Sequence, residues 1–317
     1  MFHSILFLLG GVALAWYGGT LFVVGSVGLA KLARWPVSVI GVTVAAFGTS
    51  APELMVAIHA AIDGVPEISL GDVLGSNVVN VAFILGVVIA ASGLKADDHG
   101  LRRDWAASLA VPAVMAAVLW DGWFSRIDAV ILMGLFFVWL TAVVKHARRH
   151  AANHPEPQIP VEEAARFTKK KTVGRVAVGL ALLVVAAQLV VHGGKGVAEF
   201  LGWSPFVVGA IVVSMATSTP ELATTIISKI RGHDDVGLGN ILGSCVFNAL
   251  FIAACAALIH PYGVNIAELM PSLIFGAVTV LFILPGRNGL IGRSRGFLLL
   301  AIYAAFLIWS LQSGGGH

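Results

Sequence analysis

The stretch that decides the fold occurs twice in this chain. Residues 41–80 read GVTVAAFGTSAPELMVAIHAAIDGVPEISLGDVLGSNVVN, and residues 209–248 read GAIVVSMATSTPELATTIISKIRGHDDVGLGNILGSCVFN. At a constant offset of 168 residues, 17 of the 40 aligned positions are identical. Apolar composition alone produces matches of Leu, Val and Gly, but not matched Pro-Glu pairs, serines and asparagines. The two stretches are therefore copies of one internal repeat.

The composition indicates an integral membrane protein. Hydrophobic residues make up 58% of the chain and charged residues 12%, against roughly 25% charged residues in soluble domains. Many apolar runs exceed the roughly 18 residues needed to cross a bilayer. The net charge of +3 does not indicate nucleic-acid binding, because the basic residues flank apolar runs. Cys245 and Cys255 have no disulfide or metal-site spacing and are predicted to be core residues.

The apolar runs predict ten transmembrane helices separated by polar breaks. Each is expected to be an α-helix, because lipid cannot satisfy open backbone groups. The longest break, residues 148–172, is rich in charge and proline and is predicted to be a cytoplasmic linker between two five-helix halves, residues 1–147 and 173–317. The predicted spans lie near residues 4–30, 37–62, 68–94, 104–121, 126–145, 173–199, 205–230, 236–259, 268–286 and 296–313.

The distribution of basic residues predicts the orientation. Counted over alternating loops, 18 Lys and Arg residues fall on one side, and only Arg126 and Lys195 fall on the other. The first side is therefore predicted to be cytoplasmic, with both termini outside. The two copies of the repeat lie five helices apart, an odd number, so they are predicted to have opposite orientations. The predicted fold is an all-α membrane protein of two inverted five-helix repeats, as in secondary transporters.

A proline precedes a glutamate inside the second and the seventh predicted helices. A proline within a helix frees the carbonyl four residues before it, and in the bilayer that carbonyl needs a partner, such as a cation. Helices two and seven are therefore predicted to be discontinuous. A carboxylate inside the membrane is costly and is functional by default. The prolines are Pro52 and Pro220, the freed carbonyls belong to Gly48 and Ala216, and the glutamates are Glu53 and Glu221.

Further polar residues share helix faces with these glutamates or follow them in the next helix. Residues four apart lie on one face, so two copies packed together would surround a cavity with carboxylate, hydroxyl, amide and carbonyl oxygens. Ca²⁺ takes six to eight such oxygens, whereas soft metals need Cys or His. The hydroxyls carry less weight than the carboxylates, because Ser and Thr in membrane helices often bond their own backbone. The pairs are Thr49 with Glu53, Thr217 with Glu221, Ser76 with Asn80, and Ser244 with Asn248.

The motifs GTSAPEL…GSNVVN and ATSTPEL…GSCVFN resemble the α-repeats of the Ca²⁺/cation antiporter superfamily, most closely those of its prokaryotic Na⁺/Ca²⁺ exchangers. The resemblance implies that four central residues bind the transported ions. They are Glu53, Asn80, Glu221 and Asn248. It also implies flanking ligands at Thr49, Ser50, Ser76, Thr217, Ser218 and Ser244, with backbone carbonyls near Ala46 and Ser214.

The resemblance further implies alternating access, in which Ca²⁺ and Na⁺ occupy overlapping sites and the first and sixth helices slide against the rest. It implies a monomeric transport unit in the prokaryotic cytoplasmic membrane, with Ca²⁺ and Na⁺ as substrates and no cofactor. Some relatives carry Asp at the position of Asn248. The Asn here leaves two formal negative charges in the central site, and K⁺ co-transport is not expected.

Three alternatives remain beside Na⁺/Ca²⁺ exchange. An H⁺/Ca²⁺ antiporter of the same superfamily would use a different motif around its glutamates. A cation channel could use the same ligands, although an inverted duplication within one chain favours an antiporter. A membrane enzyme is disfavoured, because no nucleophile–base constellation and no soft-metal cluster is found in the apolar segments.

Overall fold

The computed structural model describes residues 1–32, 46–96, 101–153, 168–285 and 289–314. These residues form twelve helices and four two-residue strands, where a π-helical segment is counted with the helix that contains it. The helices are α1 (Phe2–Leu32), α2 (Ala46–Thr49), α3 (Ala51–Ile62), α4 (Pro66–Ser92), α5 (Leu101–Val118), α6 (Arg126–Asn153), α7 (Lys169–Leu201), α8 (Pro205–Thr217), α9 (Thr219–Ile230), α10 (Asp234–Ile259), α11 (Ile266–Phe282) and α12 (Arg293–Gly314).

Most of the long helices are apolar enough to cross a bilayer. Six helices are long enough and apolar enough to span a membrane, namely α1, α4, α6, α7, α10 and α12. The pair α8–α9, bent by 42°, raises the number to seven within the described residues. The prediction of ten spans also counts α2–α3, α5 and α11. Of these, α3 and α11 are apolar but shorter, and residues 33–45 before α2 lie outside the described residues.

The two proline motifs interrupt their helices. The first interruption separates α2 from α3 at Ser50, and the second separates α8 from α9 at Ser218. Pro52 and Pro220 each occupy the first turn of the helix that follows. A proline is well placed there, because the backbone donor that it lacks would have no partner within the helix. Both breaks occur where the sequence predicts them.

The second helix after each break is more buried than the other long apolar helices. In the 18-residue apolar segment of each helix, 89% of the residues are buried in α4 and 83% in α10, compared with 22% in α1. Each of the two contains a π-helical segment, Val79–Leu85 in α4 and Asn248–Ile252 in α10. Such segments are rare and often mark functional sites. They contain Asn80 and Asn248, which are equivalent positions of the repeat.

Glycines allow α4 to cross α8 in close contact. A Cβ atom added at Gly71 would lie 2.1 Å from the Phe206 carbonyl oxygen, and one at Gly75 would lie 2.3 Å from that of Ala210. From the other side, a Cβ atom on Gly209 would lie 2.3 Å from the Ile68 carbonyl oxygen. No larger residue fits at these positions without moving the backbone. The crossing brings α4 directly against the helix that ends at the second break.

A second glycine-lined contact joins α1 to α7. A Cβ atom added at Gly11 would lie 2.6 Å from Val190 Cγ2, and one at Gly25 would lie 2.9 Å from the backbone nitrogen of Val176. Small residues at such spacing let membrane helices approach closely. The two helices run antiparallel along this contact, since residues early in α1 meet residues late in α7.

Two small sheets connect the predicted first half of the chain to the second. Strand β1 (Leu94–Lys95) pairs antiparallel with β4 (Leu290–Ile291), and β2 (Trp123–Phe124) pairs antiparallel with β3 (Tyr262–Gly263). In each sheet, one strand comes from each half. The halves are therefore joined by backbone hydrogen bonds as well as by side-chain packing.

Two arginines connect the halves in a matching way. Arg126 Nε donates to the Leu258 carbonyl near the end of α10, at 3.0 Å. Arg293 Nε donates to the Ala90 carbonyl near the end of α4, at 2.9 Å. The last carbonyls of a helix lack partners within it, and a cation there also interacts favourably with the helix dipole. Each half thus supplies a cap for a central helix of the other.

The predicted linker is shorter than its sequence suggests. Helix α6 continues to Asn153 and α7 begins at Lys169, so both enter the region assigned to residues 148–172. The charged residues at these ends did not stop the helices, because Lys and Arg are good helix formers and can extend beyond the apolar core. Residues 154–167 lie outside the described residues.

Candidate cation site

The first helix break contacts the polar residues of the second repeat. Ser50 Oγ donates to Glu221 Oε1 at 2.9 Å and lies 3.0 Å from Ser244 Oγ. Ser244 Oγ in turn lies 3.4 Å from the same carboxylate oxygen. All three residues are buried. A hydroxyl from one repeat and a hydroxyl and a carboxylate from the other therefore meet at one point.

The threonines of the two breaks make equivalent contacts. Thr217 Oγ1 donates to Asp72 Oδ1 at 2.9 Å, and Thr49 Oγ1 donates to Asn240 Oδ1 at 3.3 Å. Thr49 and Thr217 are equivalent in the repeat, and so are Asp72 and Asn240. Each threonine reaches the second helix after the break of the other copy, which is α4 or α10. The two repeats are thus interlocked by one pair of matching hydrogen bonds.

The glutamates and asparagines present buried oxygens without donors. Neither side-chain oxygen of Glu53 and neither side-chain polar atom of Asn80 or Asn248 has a hydrogen-bond partner among the described residues. The same holds for Glu221 Oε2. Buried polar atoms are nearly always satisfied, so such a group of unpartnered atoms calls for a ligand. Carboxylate and amide oxygens are the donors that hard cations prefer.

The remaining predicted ligands occupy different positions around this centre. Ser76 Oγ donates to Asp72 Oδ1 at 3.3 Å, and Ser218 Oγ is buried with no partner among the described residues. Ser214 Oγ donates at 2.6 Å to the Ala210 carbonyl of its own helix, so only its backbone oxygen could face an ion. Ala46 is the first residue of α2, one turn before Ser50.

One freed carbonyl has a protein partner that the sequence analysis did not predict. Thr219 Oγ1 donates at 2.7 Å to the carbonyl of Ala216, which Pro220 deprives of its helical donor. This carbonyl therefore does not depend on a cation. The equivalent residue in the first copy is Ala51, which has no hydroxyl to offer the Gly48 carbonyl. The two breaks are alike in position but differ in how their backbone is satisfied.

A third buried carboxylate lies beside the predicted ligands, and the sequence analysis did not single it out. Asp72 is fully buried, accepts from Thr217 and Ser76, and interacts electrostatically with Glu53 and Glu221. The comparison of identical repeat positions passed over it, because Asn240 stands in the other copy. The missed indication was an acidic residue in the middle of an apolar helix, which is rarely without function.

Among the residues that the structure describes, no basic side chain and no soft-metal cluster completes the site. The ion pairs within the described residues join Arg103 to Asp104, Lys195 to Asp63 and Lys229 to Asp234, so none of them neutralises the three buried carboxylates. No three His, Cys, Asp or Glu side chains of the described part converge closely enough to hold a metal by themselves. A cation here would need hydroxyl, amide and carbonyl oxygens in addition to carboxylates.

The centre of the site is flanked by a second interlocked pair. Asn77 Nδ2 donates to the Cys245 carbonyl at 3.0 Å, and Cys245 Sγ lies 3.9 Å from the Asn77 carbonyl oxygen. Asn77 and Cys245 are equivalent in the repeat. Cys245 is buried and has this backbone neighbour, as expected for a core residue.

Comparison with known proteins identifies the family of this arrangement. The model of the sodium/calcium exchanger protein family matches residues 3–145 and 171–312, which is most of the chain. The chain belongs to this family. Its members are membrane transporters, so the chain is a transporter and not an enzyme.

Relatives of known name and structure support this membership. The chain is 30% identical to a putative antiporter, CaxA, of Alkalimonas amylolytica, over 96% of this chain and 98% of that protein. It is 25% identical to the Ca²⁺/H⁺ antiporter ChaA of Bacillus subtilis, over 86% of this chain and 82% of that protein. A structure of the sodium-calcium exchanger NCX_Mj, soaked with Na⁺ and Sr²⁺, is similar with a TM-score of 0.67 and 28% identity, over 96% of this chain and 98% of that one.

Proposed function

We propose that this protein is a secondary antiporter that exchanges Ca²⁺ for Na⁺ across the membrane by alternating access. One observation carries the proposal. The two helix breaks of the repeat meet in the protein interior, where both carboxylate oxygens of Glu53 and Oε2 of Glu221 are buried without a donor among the described residues. Dehydrated Ca²⁺ needs such a shell of hard oxygen ligands. The family membership and the similarity to NCX_Mj support the same function.

The ion-binding roles follow from this centre. Glu53 and Glu221 neutralise the charge of the ion, while Asn80 and Asn248 supply amide oxygens from the two π-helical segments. The flanking ligands are Thr49, Ser50, Ser76, Thr217, Ser218 and Ser244, with the backbone carbonyls of Ala46 and Ser214. No resident cofactor is needed, because Ca²⁺ and Na⁺ are themselves the substrates.

The proposed topology comprises ten spans in two inverted halves, residues 1–147 and 173–317, joined by a cytoplasmic linker within residues 148–172. Both termini face outward from the prokaryotic cytoplasmic membrane, and one chain suffices for transport. The matching contacts of Thr49 and Thr217, and the reciprocal arginine caps, support the two-fold relation of the halves. An inverted repeat gives a transporter two equivalent states, open to opposite sides.

Helices α1 and α7 are the proposed moving elements. They pack on one another through glycines, and their outer faces are apolar and exposed. Leu9 and Tyr17 of α1, and Val178 of α7, are examples of such exposed residues. The pair packs on the core through one side, where Val190 and Val191 of α7 are buried, and we propose that it shifts as a unit past α3 and α9 and opens the site to either side.

A second candidate is Ca²⁺/H⁺ antiport. The third buried carboxylate, Asp72, favours it, because more carboxylates than one Ca²⁺ requires are available to carry protons. The named Ca²⁺/H⁺ antiporter among the relatives supports the same alternative. A cation channel is disfavoured by the duplication and by the family.

The deciding experiment is Ca²⁺ uptake into proteoliposomes that contain the purified full-length chain. Vesicles loaded with Na⁺ and diluted into Na⁺-free buffer should accumulate Ca²⁺ saturably, with or without K⁺. A pH gradient imposed without Na⁺ should not drive uptake. Uptake driven only by the pH gradient would establish the H⁺ alternative. Flux that ignores both gradients would indicate a channel and refute exchange.

A further inference from the structure

The polar face of α4 carries more ligands than the equivalent face of α10. Along α4, Ser69, Asp72, Ser76 and Asn80 follow one another at intervals of three or four residues, so they share one side of the helix. All four are fully buried. The equivalent residues of α10 are Gly237, Asn240, Ser244 and Asn248. The α4 face therefore has one additional hydroxyl and one additional carboxylate.

Asp72 is held at the crossing of α4 with α8. The neighbouring Gly71 lets the backbones approach so closely that a Cβ atom there would collide with the Phe206 carbonyl. This contact brings Asp72 Oδ1 to the hydroxyl of Thr217 at the second break, at 2.9 Å. Asp72 is thereby fixed beside the candidate ion site by the backbone itself.

The second oxygen of this carboxylate is unsatisfied. Asp72 Oδ2 is buried and has no hydrogen-bond partner among the described residues, and one turn earlier Ser69 Oγ is also buried without one. A carboxylate without a cation partner in a nonpolar environment is strongly disfavoured. On the opposite side of the centre, Asn240 satisfies the equivalent threonine with a neutral amide oxygen.

We propose that Asp72 supplies a third negative charge next to the transported cation and determines the charge of the ion-loaded protein. The inference rests on the proposed function, which assigns the ion to this cavity. Three carboxylates exceed the charge of one Ca²⁺ by one unit, whereas two carboxylates balance it. The Ca²⁺-loaded site therefore carries a net negative charge through the membrane, and its movement depends on membrane potential.

The variant Asp72→Asn separates this role from a structural one. Asparagine keeps an oxygen that can accept from Thr217, and it is the residue that the chain itself uses at position 240. We expect binding of radioactive Ca²⁺ to the purified variant to weaken at least about tenfold, as for the loss of one adjacent buried charge. Binding equal to that of the wild type, in monodisperse protein, overturns this role.

Ca²⁺/Ca²⁺ self-exchange in proteoliposomes tests the charge. The wild-type rate should change when a potential is imposed with K⁺ and valinomycin, and the rate of Asp72→Asn should not. Adding Asn240→Asp to that variant restores three carboxylates and should restore the response. A response that persists in Asp72→Asn, or that the double variant fails to recover, contradicts the proposal.

Two features keep the outcome decisive. Ca²⁺ binding and Ca²⁺/Ca²⁺ self-exchange need no Na⁺. The role of Asp72 can therefore be tested even if Na⁺-driven Ca²⁺ uptake, which tests the proposed function, is not observed. If Asp72→Asn is not monodisperse, Asp72→Glu retains the charge and should respond to potential like the wild type. Loss of the response in Asp72→Glu would show that residue 72 acts through packing and would overturn the proposal.

Discussion

The two sides of the candidate site share their geometry but not their charge. Thr217 donates to Asp72 on one side, and Thr49 donates to Asn240 on the other, through equivalent residues. Duplication preserved the helix breaks, the serines and the hydrogen bonds. The residue that accepts from each threonine was not preserved: it is acidic at Asp72 and neutral at Asn240. The architecture of the site therefore depends on symmetry, whereas its electrostatics need not.

The apolar side chains that pack around the two helix breaks also differ between the copies of the repeat. Phe47, next to the first break, stacks on Phe247 with ring centroids 4.6 Å apart, and Phe247 stacks on Phe251 at 5.1 Å. The equivalents of Phe47 and Phe247 are Met215 and Val79, which cannot form such a stack. The ring stack of Phe47, Phe247 and Phe251 therefore lies on one side of the site, whereas on the other side Phe83, the equivalent of Phe251, packs on Tyr303 at 5.4 Å.

The largest effect is expected from neutralising either glutamate, and it tests whether the two glutamates are equivalent. Glu53→Gln and Glu221→Gln should each reduce Na⁺-driven Ca²⁺ uptake to the level of empty vesicles, because each removes a buried charge that balances the ion. The measurement is initial uptake in proteoliposomes with matched protein content. Glu199→Gln, at an exposed position near the end of α7, is the control and should transport normally. Substantial uptake by either glutamate variant would remove that residue from the ion site.

A smaller effect is expected from adding charge at the central asparagines. Asn80→Asp and Asn248→Asp should both tighten Ca²⁺ binding, by about tenfold or more, since a nearby charge at an effective dielectric near 20 is worth roughly a few kcal/mol. Equilibrium Ca²⁺ binding to the purified variants measures this. Similar gains would support equivalent positions of the two residues. An unchanged affinity for one of them would place that residue outside the ion site.

The repeat could be predicted from the sequence because its defining residues are identical in both copies. The prolines, glutamates and asparagines predicted the helix breaks and the central group of buried atoms. Asp72 was not predicted because it has no identical counterpart in the other copy. The contact of Thr219 with the Ala216 carbonyl was not predicted because the partner of a hydroxyl depends on the local rotamer. The π segments and two-residue strands also escaped prediction. They arise from packing between distant parts of the chain and leave no local pattern.

Two adjacent glycines of α1 test its contact with α7. A Cβ atom at Gly11 would meet Val190 Cγ2 at 2.6 Å and a carbonyl oxygen at 3.1 Å, whereas one at Gly10 would meet only a side-chain methyl at 3.7 Å. Gly11→Ala should therefore lower the unfolding free energy by about 1–3 kcal/mol through overpacking. Gly10→Ala is the matched control and should be neutral. Thermal unfolding in detergent measures both, and equal stability would show that the glycine contact is loose.

The smallest effects are expected at the arginine caps. Arg293→Ala should lower the unfolding free energy by about 1 kcal/mol, because its hydrogen bond to the end of α4 is partly buried. Arg126→Ala should lower it less, because the hydrogen bond of Arg126 to the end of α10 is exposed to solvent. The same unfolding assay compares them. A larger loss for Arg126→Ala would mean that the cap on α10 is the more important connection.

These caps also have a consequence for synthesis of the chain. Arg293 is 203 residues away from the α4 carbonyl that it caps. At about 5–20 residues per second, roughly 10–40 seconds pass between emergence of the two residues from the ribosome. During that interval the end of α4 is already made and lacks this partner, and strand β1 also lacks β4. The first half therefore completes its native contacts only after the last helix has been synthesised.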